Sequence, residues 1–221
     1  MNSIAQASKG VLADTLTVAG SLVVASHNKN KIRAFKEALS GCPVPVLTAA
    51  DFKLTSPEEN GTTVLENALI KARDVAAQSG QAAISDDSGF CISELDDLPG
   101  AAALDWAGPD GNYDVAIERI GTLIGQKNLQ TGSARFVTCI AIALPDGTAI
   151  AEEGATHGRL VWPPKGPTEG YLSVFALPGE TMTVAEQLAD VDLAQTHELP
   201  AYRHRKATIE KLMARLSFQD C

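Results

Sequence analysis

Asp86 and Asp87 are the pair of side chains on which chemistry in this chain would turn. In Ile84-Ser85-Asp86-Asp87-Ser88-Gly89-Phe90 an apolar run leads into two carboxylates and a hydroxyl, with a glycine that permits a turn. Adjacent carboxylates repel each other, and a divalent cation relieves that repulsion while acidifying a bound water. The same residues also make an ordinary solvated turn after a buried strand, so alone they leave both readings open. Two more carboxylates, Glu58 and Glu59, stand in the polar run Pro57-Glu58-Glu59-Asn60-Gly61-Thr62-Thr63. One of them could join Asp86 and Asp87 around magnesium, a hard cation that takes oxygen ligands and keeps several waters.

A second group of polar residues, Ser26-His27-Asn28-Lys29-Asn30-Lys31, falls between an apolar run and an amphipathic one. Free backbone N–H groups and the positive end of a helix dipole favour an anion at such a junction. Ser26 and Asn28 can donate side-chain hydrogen bonds there, and Lys31 on the first helical turn can bring charge to a phosphate. A polar loop with a solvated lysine pair is the alternative. The chain contains no Gly-x-x-x-x-Gly-Lys-[Ser/Thr], so this is not a Walker loop.

The elements that must hold these residues can be read from period and punctuation. Ser21–Ser26 reads as a strand and 30–39 as a helix, with Ile32, Phe35, Ala38 and Leu39 on its apolar face. Val44–Leu47 reads as an edge strand because Pro43 and Pro45 flank or interrupt it. Thr63 and Glu66 have capping-box spacing ahead of a helix that ends near Gly80, with Leu65, Leu69, Ala72 and Ala76 along one face. That spacing assigns Glu66 to the cap, and Lys71 and Arg73 read as surface charges. Ala82–Ile84 is a strand leading into the aspartates. After a Gly/Pro/Ala-rich connection over 98–112 come a helix over 113–123, a long hairpin over 135–152, a rigid loop at 163–167 and a last helix over 202–216. Strands and helices alternate and intermix, which predicts an α/β fold with a mixed sheet.

Composition narrows the function classes. The 221 residues suit one substantial core, and 18 Lys and Arg against 27 Asp and Glu give a net charge of -9. That balance argues against a nucleic-acid partner, since such binding relies on cationic side chains displacing counterions. Cys42, Cys91, Cys139 and Cys221 are scattered with no C-x-x-C spacing, which predicts reduced thiols in a cytoplasmic protein. No apolar run reaches the length of a membrane span, so no membrane partner is expected. Residues 1–19 read as a flexible N-terminal extension without signal-peptide character, and 20–221 as a single domain.

Taken in order, these segments resemble the inosine/xanthosine triphosphate diphosphatases, which hydrolyse non-canonical purine nucleoside triphosphates. The resemblance runs from Leu22 to Leu216. It rests on Ser26-x-Asn28-x-x-Lys31, on Glu58-Glu59-x-Gly61-Thr62-Thr63 with Glu66-Asn67-Ala68-Leu69-Ile70-Lys71-Ala72-Arg73, and on Ser85-Asp86-Asp87-Ser88-Gly89. Trp162-Pro163-Pro164-Lys165-Gly166 adds to it. It implies an elongated, two-lobed α/β fold with a central mixed sheet, flanking helices and an active-site cleft between the lobes. It further implies a homodimer, a magnesium requirement, and hydrolysis to a nucleoside monophosphate and pyrophosphate. By position, Asp87 matches the family's catalytic acid and metal ligand, Glu58 its other metal carboxylate, Ser88 a substrate contact and Lys31 the triphosphate-binding lysine.

The departures fall where that family recognises the base. Gly-Phe-Gly-Tyr-Asp-Pro is replaced by Thr168-Glu169-Gly170-Tyr171-Leu172-Ser173, so a stacking ring becomes Glu169 and an accepting carboxylate becomes Leu172. Ser-His-Arg becomes Tyr202-Arg203-His204 in the gap-free register; a one-residue shift restores His204-Arg205. A lysine ahead of that motif becomes Glu198. Glu169, Tyr171, Leu172, Arg203 and His204 therefore occupy the base-binding positions with altered chemistry. That pattern predicts a weakened preference for deaminated bases. A paralogue acting on another nucleotide, or a weak nucleotide-binding or regulatory protein, are the rival readings.

Overall fold

The computed structural model of the chain describes residues 12–188 and 199–219. They divide into two compact units. The first takes the described residues up to Asp87, Thr138–Gly154 and those from Arg205 on; the second takes Ser88–Val137 and the described part of Ala155–His204.

In the first unit β1 (Leu16–Val18), β2 (Leu22–Val24), α1 (Lys29–Ala38), β3 (Val46–Thr48) and α2 (Val64–Ser79) precede the start of β4 (Ala82–Ile92). β2 pairs in parallel with β3 on one side and with β4 on the other, placing Val24 opposite both Thr48 and Ile84. β3 lies at the end of the strand order, as the flanking prolines predict. α2 begins as its capping box requires. Thr63 Oγ1 accepts the Glu66 N–H at 3.2 Å while the Glu66 carboxylate accepts from the Thr62 and Thr63 N–H groups. It stops at Gly80, whose φ of +69° is a left-handed helix end suited to glycine. Leu22, Val24, Phe35, Ile84, Ile140, Ile142, Ile150 and Leu212 are among the side chains that fill this unit's core.

Two expectations are corrected here. Of the stretch expected to be a loose extension, residues 1–11 lie outside the described residues, but Leu16–Val18 pairs in parallel with β9 (Leu216–Phe218). Leu16 and Val18 are buried, and the Arg215 guanidinium donates to the carbonyls of Ala13 and Asp14 at 3.0 and 2.8 Å. Apolar burial and these hydrogen bonds hold the segment to the body. Nor does β4 yield to a turn at the aspartates: it runs unbroken to Ile92 and only Ser88 along it is less than buried. The apolar Phe90-Cys91-Ile92 continues the strand, and the carboxylates inside it find cations.

The second unit holds the rest of β4, β5 (Leu98–Gly100), the short α3 (Ala103–Trp106), α4 (Tyr113–Lys127), β8 (Phe175–Ala176) and α5 (Val184–Gln187). Gly89 serves close approach here: a Cβ would collide with the Gly100 carbonyl on β5, which pairs antiparallel to β4. Phe90 is the centre of an aromatic cluster, stacked on Tyr171 at 4.8 Å and tilted against Phe136 at 4.9 Å. β6 (Thr131–Ala143) and β7 (Ala149–Val161) extend the expected hairpin at both ends and contribute residues to each unit, as does α6 (Arg203–Met213). The larger sheet has the order β3-β2-β4-β6-β7-β8 with β5 beside β4. It is mixed, as the sequence predicts. Among the described residues no helix is long and apolar enough to cross a membrane.

Candidate active site

Because side chains alternate along a strand, Asp86 and Asp87 point to opposite faces of β4. Ser85 and Asp87 share the face covered by α2. The Ser85 hydroxyl donates to the Ala68 carbonyl, and one helical turn on, Lys71 Nζ donates to Asp87 Oδ1 at 2.7 Å. The same ammonium reaches Glu59 Oε2 at 2.8 Å. Burial works against the charge on Lys71, but Asp87 and Glu59 outweigh it and hold the lysine above its ordinary value.

Asp86 faces the other way. Its side chain is 1% exposed and lies 3.1 Å from Lys31 Nζ and 3.4 Å from Arg205 Nη2. Burial would raise its pKa, yet Lys31, Arg205 and Lys71 prevail and lower it. Asp87 behaves oppositely. Burial is the largest influence, exceeds the pull of Lys71, and raises its pKa to about 6. Two neighbouring residues of one type thus differ because cations outweigh burial at Asp86, whereas burial outweighs Lys71 at Asp87, where one oxygen keeps no partner among the described residues.

That oxygen is the informative atom. Among the described residues, Asp87 Oδ2 is buried and has no hydrogen-bond partner. A buried carboxylate oxygen left open is an acceptor waiting for a water proton or a cation. The donor set therefore fits an oxygen-seeking divalent cation at Asp87, with a further carboxylate available from the Glu58-Glu59 loop. Of these two, it is Glu59 that the structure ties to Asp87, through Lys71; Glu58 is exposed and makes no hydrogen bond or ion pair among the described residues. Asp86, expected beside the metal, faces Lys31 and Arg205 instead.

In the strand-to-helix loop, Asn28 Oδ1 caps α1 by accepting the Asn30 and Lys31 N–H groups at 2.9 and 3.3 Å. Ser26 Oγ accepts the Asn28 N–H at 3.2 Å. The cap uses the amide oxygen of Asn28 and leaves its NH₂ as a donor. Both the polar-loop and anion-loop readings survive in this geometry, and Lys31 belongs to the Asp86 cluster as well.

The expected base-recognition residues lie in the second unit and divide sharply. Tyr171 is a core residue: its ring stacks on Phe90 and its hydroxyl donates to the Ala103 carbonyl at 2.6 Å. Leu172 is buried in the same core, Glu169 is half-buried, and Arg203 is exposed on α6. His204 is buried with its Nδ1 2.8 Å from Thr156 Oγ1. Ser88, the first residue of this unit, is half-buried; Glu198 lies outside the described residues.

Sequence reasoning missed Lys71 and reached Arg205 only through the one-residue shift of register. Lys71 was expected at the surface, yet Val64, Ala68, Lys71 and Val75 follow helical spacing and all are buried. That spacing was available as a signal. Arg73 is likewise buried, with Nε donating to the Gly147 carbonyl at 3.1 Å in the hairpin turn. On α6 it is His204 and Arg205, rather than Arg203, that turn away from solvent, so the inward pair is the one given by the shifted register.

Residues 22–215 match the Ham1 family. The chain is 41% identical to the dITP/XTP pyrophosphatase of Gluconobacter oxydans, with 77% of this chain and 82% of that protein aligned. It is 39% identical to the dITP/XTP pyrophosphatase of Rhodospirillum centenum, covering 88% and 93%. Among solved structures, a HAM1 protein from Coxiella burnetii matches with a TM-score of 0.76 at 26% identity, over 88% of this chain and 98% of that one. The Staphylococcus aureus Ham1 protein matches at 0.72 and 26%, over 88% and 96%.

Proposed function

The chain belongs to the Ham1 family, and on that premise we propose that it hydrolyses non-canonical purine nucleoside triphosphates to nucleoside monophosphate and pyrophosphate. The observation that carries this reading is the open Asp87 Oδ2, buried beside a lysine-bridged carboxylate in the segment that supplies the Asp86–Lys31–Arg205 cluster. Asp87 takes the proton of the water that attacks the α-phosphorus. Lys71 fixes the carboxylate through Oδ1, so the other oxygen keeps its aim. Lys31, held by Asp86 at the start of α1, carries the charge of the departing pyrophosphate. Asp87 and the Glu58-Glu59 loop would hold a divalent cation, which would neutralise phosphate oxygens and acidify the attacking water. Magnesium is the proposed cation, a homodimer the proposed assembly and the cytoplasm the proposed location. The free thiols of Cys42, Cys91 and Cys139 suit a reducing compartment.

The test is pyrophosphate release with magnesium from inosine, xanthosine, adenosine and guanosine triphosphates side by side. Deaminated nucleotides are expected to be the better substrates. Their advantage in kcat/KM is expected to stay below about a hundredfold, because discrimination needs paired polar groups and the accepting position is filled by the buried Leu172. A larger preference would show that other residues rebuild the base contacts. No release from either deaminated nucleotide would overturn the proposed activity.

A pH profile follows from Asp87. Activity needs the carboxylate, so kcat/KM at limiting magnesium should fall as pH drops through about 6. The stability contribution has the opposite sign. With its folded pKa raised from 3.8, Asp87 stabilises most below that ordinary value, and the contribution is lost as pH rises through about 6. Saturating magnesium favours the ionised form and should move the kinetic inflection down. A profile flat between pH 5 and 7 at limiting metal, a window set on either side of that value, would remove Asp87 from the proton-accepting role.

A further inference from the structure

We propose that Lys71 is a resident counter-ion between Glu59 and Asp87, so that the free protein binds divalent cations weakly and acquires its metal together with the triphosphate. The inference rests on the proposed hydrolytic site and adds an order of assembly to it. Lys71 Nζ stands 2.7 Å from Asp87 Oδ1 and 2.8 Å from Glu59 Oε2, with only 11% of its side chain exposed. A single ammonium thus pairs with one oxygen of each of two carboxylates that would otherwise draw a cation. Among the described residues, no three His, Cys, Asp or Glu side chains converge to hold a metal ion. Asp86, the nearest further carboxylate in sequence, is directed to Lys31 and Arg205.

Each carboxylate of the cluster already stands beside a cation. Among the described residues, Glu59 and Asp87 meet Lys71, and Asp86 meets Lys31 and Arg205. A divalent ion entering alone would meet carboxylates already paired and lie close to a fixed ammonium, a repulsion poorly screened beside the largely buried Lys71–Asp87 pair. A triphosphate brings several negative charges and its own oxygen ligands, which offsets that repulsion. Asp87 Oδ2 remains the acceptor left open toward the arriving ion's bound water. In this arrangement Lys71 sets both the geometry of Asp87 and the threshold for metal entry.

The experiment titrates Mn²⁺, as a spectroscopic probe, into metal-free wild type, Lys71→Met and Lys71→Arg. Lys71→Met removes the charge and keeps the length of the side chain; Lys71→Arg keeps the charge. Expected are weak binding by wild type and by Lys71→Arg, and binding at least about tenfold tighter by Lys71→Met. Equal affinities in wild type and Lys71→Met would overturn the proposal. A second arm needs no variant: Mn²⁺ should broaden the amide signals of Glu59 and Ser88 in wild type only when an α,β-methylene inosine triphosphate is present. Equal broadening without nucleotide would overturn it, and this arm decides if Lys71→Met does not fold. Neither measurement uses turnover. A protein that releases no pyrophosphate from deaminated nucleotides, yet shows the tightened Mn²⁺ binding, would lose its proposed function and keep this role for Lys71.

Discussion

Asp87→Asn is expected to remain folded and to lose at least about a hundredfold in turnover, the scale of removing a group that accepts a proton or positions a metal. The fold should tolerate the change because burial already disfavours the carboxylate, holding its pKa near 6. A neutral amide of the same shape removes that penalty, and its oxygen can still accept from Lys71. Stability should therefore hold or rise while chemistry fails, the trade expected where a strained charge is kept for function. Turnover at saturating substrate and magnesium, read beside thermal unfolding, separates the two effects. Near-normal turnover would take Asp87 out of the mechanism. A large fall in melting temperature would show that its charge is structural.

The neighbouring residue should respond in the opposite way. Asp86→Ala is expected to destabilise the protein by about 3 kcal/mol, the lower end for a buried ion pair that loses one partner. The lower end applies because Lys31 and Arg205 keep some contact with water, at 26% and 19% side-chain exposure. Here folding favours the charged form, since those cations lower the pKa of Asp86. Its contribution is present above the ordinary carboxylate range and lost as pH falls through the lowered value. Denaturant unfolding of Asp86→Ala, and of Asp86→Ala combined with Arg205→Met, measures it. The double variant should recover part of the loss, because it removes a cation left without its carboxylate. If the single variant unfolds at the wild-type midpoint, Asp86 does not hold this cluster together.

The contrast between these two aspartates marks where local sequence stops being informative. Residues close in the chain fixed what they could decide by themselves: the capping box from Thr63 to Glu66, the left-handed stop at Gly80, the proline-limited edge strand and the alternation of strands with helices. Motif order was enough to give the family and the α/β fold. Partner choice was decided in three dimensions. In sequence Asp86 and Asp87 share one expected turn and one expected metal, but continuous pairing in β4 sends them to opposite faces. Lys71, sixteen residues before Asp87, reads as a surface charge in sequence, but α2 sets Ala68 and Lys71 against Ser85 and Asp87 of that strand. Glu59 rather than Glu58 meets Lys71, and Arg205 rather than Arg203 meets Asp86, by the direction in which each backbone path sends the side chain. The physical reason is common to all of these. Capping, periodicity and turn chemistry are short-range and written in neighbouring residues. The protonation and pairing of a buried carboxylate depend on desolvation and on charges that only tertiary packing brings within reach.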